Sequence, residues 1–142
     1  MTSRLVLCDD HSVSEPNRPV IPSSSAPPAA NYAHAVVTTG ASRWLHTSGV
    51  VPVDPHGNVP EGVGAQAEVV WANIGAMLAA ADMGPEHIVS VTTYAVVGEP
   101  LGDVMAVRDH FLGGHLAAST LVTVPALARP EWRMEIAVVA AA

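Results

Sequence analysis

The sequence predicts a single α+β domain in which a mixed β-sheet carries two helices on one face. Runs rich in β-branched residues alternate with two segments of helical periodicity, in the order β-β-α-β-α-β-β and without an internal repeat. The length of 142 residues suits one domain with a sizeable core, and 49% hydrophobic residues argue against a disordered chain. Helices and strands interleaved around a single sheet favour a layered α+β architecture.

The first predicted strands lie beyond a region without sustained periodicity. Residues 1–19 mix charges with prolines, so we expect an N-terminal extension followed by a domain over residues 20–142. Within the extension, residues 5–8 have the composition of a short edge strand. Residues 33–39 and 44–51 are both β-rich, and the short connection between them predicts a β-hairpin.

Two segments have the periodicity of amphipathic helices. Residues 63–83 place their apolar side chains on one helical face, and Gln66 lies away from this face. The face comprises Val70, Trp71, Ile74, Met77, Leu78 and Ala81. A second helix is predicted over residues 101–112, where Gly113 provides a C-terminal stop.

Three further β-rich runs complete the predicted sheet. Residues 88–97 form a strand that should run parallel to residues 44–51 through a right-handed connection. Residues 119–124 and 134–139 flank a Pro-containing connection, which predicts that these two strands pair with each other.

Glu135 lies inside the last apolar run, where an uncompensated buried charge costs several kcal/mol. Two interpretations stay open. The side chain either points outward to solvent or to a cation such as Arg133, or it lies at a pocket where it takes a proton or orients a water molecule.

Charge and composition exclude several classes of function. A net charge of −7, with six arginines and no lysine, disfavours nucleic-acid binding. The absence of lysine also removes Schiff-base chemistry through the protein's own side chain. The seven histidines form no metal-binding motif, so we predict neither a metal site nor a cofactor. No apolar run approaches the roughly 18 residues of a membrane helix, and we expect a cytoplasmic protein without membrane partners.

Four motifs stand together in an informative order. A Pro-rich loop leads into a tyrosine and an Ala-Val strand, a Ser-Gly strand end precedes an Asp-Pro turn, and a helix with Gln and Asn-Ile precedes another strand. The stretches are Asn31-Tyr32-Ala33-His34-Ala35-Val36, Thr47-Ser48-Gly49-Val50-Val51-Pro52-Val53-Asp54-Pro55-His56-Gly57, Ala65-Gln66…Asn73-Ile74 and Ile88-Val89-Ser90-Val91-Thr92. In this order and spacing the chain resembles the Rid family, the YjgF-type proteins often named reactive intermediate or imine deaminases, over about residues 20–140.

The resemblance implies a chorismate-mutase-like fold assembled as a homotrimer, with small-molecule clefts between subunits. In members that deaminate enamines and imines, an Arg in a Pro-Ala-Arg-Ser motif holds the substrate carboxylate, and a glutamate of the last strand positions the attacking water. Carried over to this sequence, Glu135 and Tyr32 are the implied catalytic residues. Ser48, Gly49 and Ser119 are implied to bind the substrate.

Three positions of the implied cleft depart from the family pattern. Ala118 stands at the Arg position, Val50 replaces a Gln and Met105 replaces a helix Asn. An Arg grips a carboxylate with two charge-assisted hydrogen bonds, each worth roughly 1.5–3 kcal/mol, so a cleft without it should be less polar and lack an anion clamp. Arg129 and Arg133 are the candidate replacements.

Three hypotheses about function remain. The chain is either a Rid-family small-molecule-binding protein that lacks the carboxylate-binding Arg, or a hydrolytic deaminase of the 2-iminobutanoate/2-iminopropanoate type in which Glu135 positions water. Endoribonuclease activity, attached to some relatives, is disfavoured by the acidic charge and the missing lysine. Whether the protein is an enzyme, its physiological ligand and the role of residues 1–19 are left open by the sequence.

Overall fold

The structure is a computed structural model that describes residues 15–142. Its strands are β1 (Asn17–Val20), β2 (Ala35–Thr38), β3 (Trp44–His46), β4 (Ile88–Val96), β5 (Ala118–Val124) and β6 (Met134–Ala141). Its helices are α1 (Val63–Ala80) and α2 (Leu101–Leu112), with a short 3₁₀ turn at Pro85–His87. The edge strand suggested at residues 5–8 lies outside the described residues, and β1 spans the expected start of the domain at residue 20.

The main sheet has four strands in the order β3-β6-β4-β5, and a smaller sheet pairs β1 with β2 in antiparallel orientation. β4 lies at the centre, parallel to β5 and antiparallel to β6. Because β3 is also antiparallel to β6, β3 and β4 run in the same direction as predicted, although β6 lies between them. This mixed sheet with its two helices confirms the α+β fold class.

The predicted hairpin between residues 33–39 and 44–51 is wrong. β2 pairs with β1 instead, and β3 pairs with β6. Asn17 stabilises this alternative, because its side-chain amide donates to Ala141 O at 2.8 Å and its side-chain oxygen accepts from the Thr38 hydroxyl at 2.8 Å. The turn signal between the two runs is local and therefore carries no information about this competing partner.

The predicted pairing of the last two strands is also wrong. β5 and β6 lie on opposite sides of β4, so that Tyr94 stands opposite both Val122 and Glu135. The connection at residues 125–133 is longer than the two to five residues of a usual hairpin loop. It is therefore long enough to cross from one side of β4 to the other.

The hydrophobic core lies between the main sheet and the two helices. Its fully buried side chains come from both helices and from β4 and β6, and include Val70, Trp71, Ile74, Leu78, Ile88, Val91, Val104, Met134, Ile136 and Val138. Trp71 stacks on Phe111 of α2 with 4.7 Å between the ring centroids, which joins the two helices. Gly113 ends α2 in the left-handed conformation with φ of 58°, as the sequence predicted. Within residues 15–142, no helix has the length and apolar character needed to cross a membrane.

Two residues of α1 depart from the predicted apolar face. Met77 is 41% exposed, because the buried stripe continues from Ile74 to Leu78 and leaves Met77 at its edge. Gln66, which was placed away from the apolar face, is only 2% exposed. Its side-chain amide is buried because backbone groups of the neighbouring connections satisfy it, including Glu131 O at 2.8 Å.

Candidate functional site

The implied site residues fall into two groups on different parts of the main sheet. Glu135 and Gly49 meet on the face turned away from the helices. Tyr32, Met105 and Ser119 meet around a cavity beside α2, at the β5 edge of the sheet.

Strand alternation sets the direction of Glu135. Its neighbours Met134 and Ile136 are fully buried in the core, so the Glu135 side chain points to the opposite face, where it is half-buried. Arg133 does not pair with it, because the Arg133 Nε donates to the carboxylate of Glu99 at 2.6 Å. Among the described residues, Glu135 therefore has no ion-pair partner.

Gly49 packs directly against the Glu135 carboxylate. A Cβ atom added at Gly49 would lie 1.7 Å from Glu135 Oε1 and 2.7 Å from its Cδ, so any side chain at this position would displace the carboxylate. Backbone hydrogen bonds between Val50 and Ile136, at 2.7 and 3.1 Å, hold the two segments together. Ser48 is exposed beside this contact, whereas the Val50 side chain lies in the core and is 6% exposed.

The second group lines a cavity of about 380 Å³, hereafter the Tyr32 cavity. Its walls come from the Pro-rich loop, α2 and β5, and comprise Ala29, Ala30, Tyr32, Met105, Arg108, Ser119 and Leu121. Ser119 stands opposite Val91, a core residue, so it faces the helices. Ala118 precedes it in the strand and therefore points to the other face of the sheet.

The loop that carries Tyr32 is fixed to β5 by backbone contacts. Ala33 forms a parallel bridge with Ala118, and its N–H donates to Ala117 O at 3.0 Å. The Tyr32 hydroxyl accepts a hydrogen bond from the Ala29 N–H at 3.2 Å, and its ring meets the edge of His34 at 5.8 Å. These contacts hold the aromatic ring in the wall of the cavity.

Arg108 is the cation that the sequence analysis missed. It is 5% exposed, and its Nε and Nη2 donate to Asp109 Oδ1 at 2.9 and 2.8 Å. Its Nη1 donates to Ser119 Oγ at 3.4 Å, and Asp109 Oδ2 accepts from Asn31 Nδ2 at 2.9 Å. The sequence feature that could have identified Arg108 is its position three residues after Met105, which places both side chains on the same face of the helix.

The two expected replacements for the family Arg lie elsewhere. Arg133 lines a different cavity, of about 480 Å³, with Gln66 and its partner Glu99. Arg129 lies over the Trp132 ring, 5.5 Å from its centroid. Neither of these arginines lines the Tyr32 cavity.

A single chain does not bring the two groups together. The segment that carries Tyr32 meets β5 at Ala118, whereas Glu135 lies on β6, on the far side of β4. Along β4, Ala118 stands opposite Ser90 and Glu135 opposite Tyr94, a separation of roughly 13 Å for four residues. An Arg side chain at position 118 would point to the same face as Glu135 but would begin far from it.

No metal centre is formed by the part of the chain that the structure describes, because it contains no group of three or more His, Cys, Asp or Glu side chains close enough to hold an ion. The two groups offer different side chains: a half-buried carboxylate in one, and a buried guanidinium paired with Asp109, a hydroxyl and a phenol in the other.

Sequence comparisons find relatives over most of the chain. The family model described as Endoribonuclease L-PSP matches residues 23–142. A 2-iminobutanoate/2-iminopropanoate deaminase of Rattus norvegicus is 31% identical over 126 residues, which cover 87% of this chain and 89% of the relative.

Solved structures extend the likeness to the fold. A protein of the Rid family, YyfB from Yersinia pestis, superposes with a TM-score of 0.80 at 30% identity, covering 89% of this chain and 99% of that one. E. coli TdcF with bound serine has a TM-score of 0.66 at 25% identity, covering 78% of this chain and 87% of that one. Because the family model spans all the elements from β2 to β6, the chain belongs to the Endoribonuclease L-PSP family, the group of Rid and YjgF proteins.

Proposed function

We propose that this chain is a small-molecule-binding member of the Rid family and that the Tyr32 cavity is its ligand site. The observation that carries the proposal is the convergence of Tyr32, Met105 and Ser119, from three different elements, on one cavity of about 380 Å³. Cavities of about 300–1,000 Å³ with mostly apolar walls and a few polar groups are typical of ligand sites. The relative TdcF, which has a bound serine, shows that a protein of this fold holds a small molecule.

The proposal includes a homotrimer with clefts between subunits. In one chain Glu135 and the Tyr32 cavity lie on different sides of β4, so a site that uses both requires a second copy. The sheet face that carries Glu135 also exposes Val122 of β5, 41% of whose surface is accessible, and Trp44 of β3, at 51%. Large apolar side chains exposed on a sheet face are typical of an interaction surface.

The second candidate function is hydrolytic deamination, favoured by the 31% identity to the rat deaminase. In that reaction water adds to the imine carbon, the carbon–nitrogen bond breaks, and a carbonyl compound and ammonia leave. Glu135, held against Gly49 and without an ion-pair partner among residues 15–142, is the group that would accept the water proton. We place this function second because Ala118 stands where the family holds the substrate carboxylate.

Ammonia release from 2-iminobutanoate, generated in situ, tests both functions on the purified full-length protein. We expect wild-type activity close to the buffer rate and an increase in Ala118→Arg, because the variant regains an anion clamp. Two charge-assisted hydrogen bonds of roughly 1.5–3 kcal/mol each correspond to a gain of hundreds-fold or more in binding. Ala118→Gln is the matched control, since it adds length without charge.

The outcomes separate the two functions. Wild-type turnover well above buffer that is abolished by Glu135→Gln would establish deamination and displace the binding proposal. A folded Ala118→Arg variant without any gain would contradict the idea that the alanine accounts for low activity. Sedimentation analysis of the wild type measures the trimer independently, and a monomer at micromolar concentration would refute that part of the proposal.

A further inference from the structure

We infer that the Tyr32 cavity selects an uncharged ligand that carries a hydrogen-bond acceptor, such as a primary amide, over a carboxylate of the same shape. This inference rests on the proposed function and names the ligand class of that site. It follows from the way in which Arg108 is already paired.

The charge of Arg108 is compensated within the protein. Asp109 Oδ1 accepts from both Nε and Nη2, at 2.9 and 2.8 Å, and the Arg108 side chain is only 6% exposed. Asp109 is in turn held by the Asn31 amide at 2.9 Å, so the carboxylate is fixed from two sides. The cavity wall therefore presents a buried guanidinium whose charge is compensated by Asp109, a carboxylate outside the cavity whose side chain is 34% exposed.

The donors that Arg108 can still offer suit a single acceptor. A guanidinium carries five N–H groups in a fixed fork, and the edge formed by Nε and Nη2, which would grip a carboxylate with two parallel bonds, is occupied by Asp109. Nη1 has the longest of the described contacts, 3.4 Å to Ser119 Oγ. A ligand carbonyl oxygen at this end of the cavity can thus accept from Nη1 and from the Ser119 hydroxyl.

A carboxylate in the same place is at a disadvantage. It must give up its hydration on entering a cavity whose remaining walls include Ala29, Ala30, Met105 and Leu121. In return it meets a guanidinium whose field is largely cancelled by Asp109, 2.8 Å away from Nη2. A neutral amide loses less hydration and makes the same hydrogen bond, while its alkyl part contacts the apolar wall.

Butanamide and butanoate, two probes of nearly identical shape, test the inference on the full-length protein. Dissociation constants are measured by ligand-observed NMR titration at neutral pH. For the wild type we expect butanamide to bind at least about fivefold more tightly than butanoate. Asp109→Asn leaves Arg108 uncompensated, so butanoate should gain at least about tenfold and the order should reverse. In Asn31→Ala, which removes a bond to Asp109 but no charge, the wild-type order should persist.

The results distinguish a failure of the uncharged-ligand inference alone from a failure of the Tyr32 cavity as the ligand site. Butanoate binding as tightly as butanamide in the wild type would overturn the uncharged-ligand inference and leave the cavity as the ligand site. Leu121→Trp fills the cavity, so binding of both probes should be lost in this variant if it keeps the wild-type circular dichroism spectrum. Binding that survives Leu121→Trp, or no binding of either probe to the wild type, would overturn the cavity as the ligand site and the inference with it. The wild-type comparison needs no variant, so it stands even if Asp109→Asn fails to fold.

Discussion

Gly49→Ala should destabilise the protein through one identifiable contact. The added Cβ would lie 1.7 Å from Oε1, 2.7 Å from Cδ and 3.1 Å from Cγ of Glu135, and these are the three nearest atoms. Gly49 does not have the positive φ that would penalise alanine by itself. The three closest contacts of the new methyl group are therefore all with the Glu135 side chain, which must leave its position against the 47–50 segment.

The size of the effect follows from two opposing terms. Gly49 is exposed and the clashing atoms are the flexible end of a half-buried side chain, so displacing the carboxylate should cost about 1 kcal/mol, the lower end of the range for forcing a methyl group into a packed site. Replacing glycine with alanine lowers the entropy of the unfolded chain and returns about 0.4–1 kcal/mol. We expect a net loss of no more than about 0.5 kcal/mol in the free energy of unfolding, measured by urea denaturation at a fixed protein concentration.

A double-mutant cycle isolates the contact. In the Glu135→Ala background all three clashing atoms are gone, so Gly49→Ala should cost nothing or stabilise slightly, with a coupling energy of about 1 kcal/mol. Gly102→Ala is the control: Gly102 lies in α2 and has nothing within 4 Å of an added Cβ, so it should gain up to about 1 kcal/mol. An equal loss from Gly49→Ala with and without Glu135 would refute the described contact.

Two further predictions concern the regions that flank the site. Hydrogen bonds from the backbone N–H of Asn58, and also from that of His56, lower the pKa of Asp54 below its usual value of 3.8. The stability that the Asp54 carboxylate contributes is therefore present above pH 3.8 and is lost as the pH falls through the lowered folded-state pKa. We expect the difference in unfolding free energy between wild type and Asp54→Asn, measured by urea unfolding, to shrink as the pH is lowered from about 6 to about 3. Gln66→Ala leaves Pro60 O, Glu131 O and Arg133 N without their partners and should lower the free energy of unfolding by about 2 kcal/mol or more. The control Asn73→Ala loses a single bond to Val53 O and should lower it by about 1 kcal/mol. Equal losses of the two variants in thermal or urea unfolding would contradict this account.

Local periodicity was enough to predict the helices and the fold class, but not the strand partners. α2 occupies residues 101–112 as predicted, because its apolar spacing and its Gly113 stop are properties of adjacent residues. The partner of β2 depends on Asn17, whose amide reaches Ala141 across 124 positions of sequence. A window of ten or twenty residues does not include such a contact. The turn residues between positions 39 and 44 therefore led to the wrong prediction that the two flanking strands form a hairpin.

Sequence motifs were enough to predict which positions belong to the candidate site. They do not predict the direction in which each side chain points in the folded chain. The resemblance pointed to Tyr32, Met105 and Ser119, which share the cavity. It did not point to Arg108, because that position carries no motif and acquires its importance only from the fold of α2 against β5.

Successive side chains of a strand point to opposite faces of the sheet, and this alternation bears on the choice between binding and deamination. Ala118 and Ser119 are adjacent in sequence, yet one shares the sheet face of Glu135 and the other lines the Tyr32 cavity. An anion clamp at position 118 would therefore stand on the sheet face of Glu135, whereas Arg108 and Ser119 lie on the opposite face. The loss of the anion clamp at position 118 does not require the loss of Arg108 and Ser119 from the Tyr32 cavity, since no side chain belongs to both sets. Alanine at 118 leaves the Arg108–Asp109 pair and the Tyr32 cavity of the same chain intact, and this supports placing binding ahead of deamination.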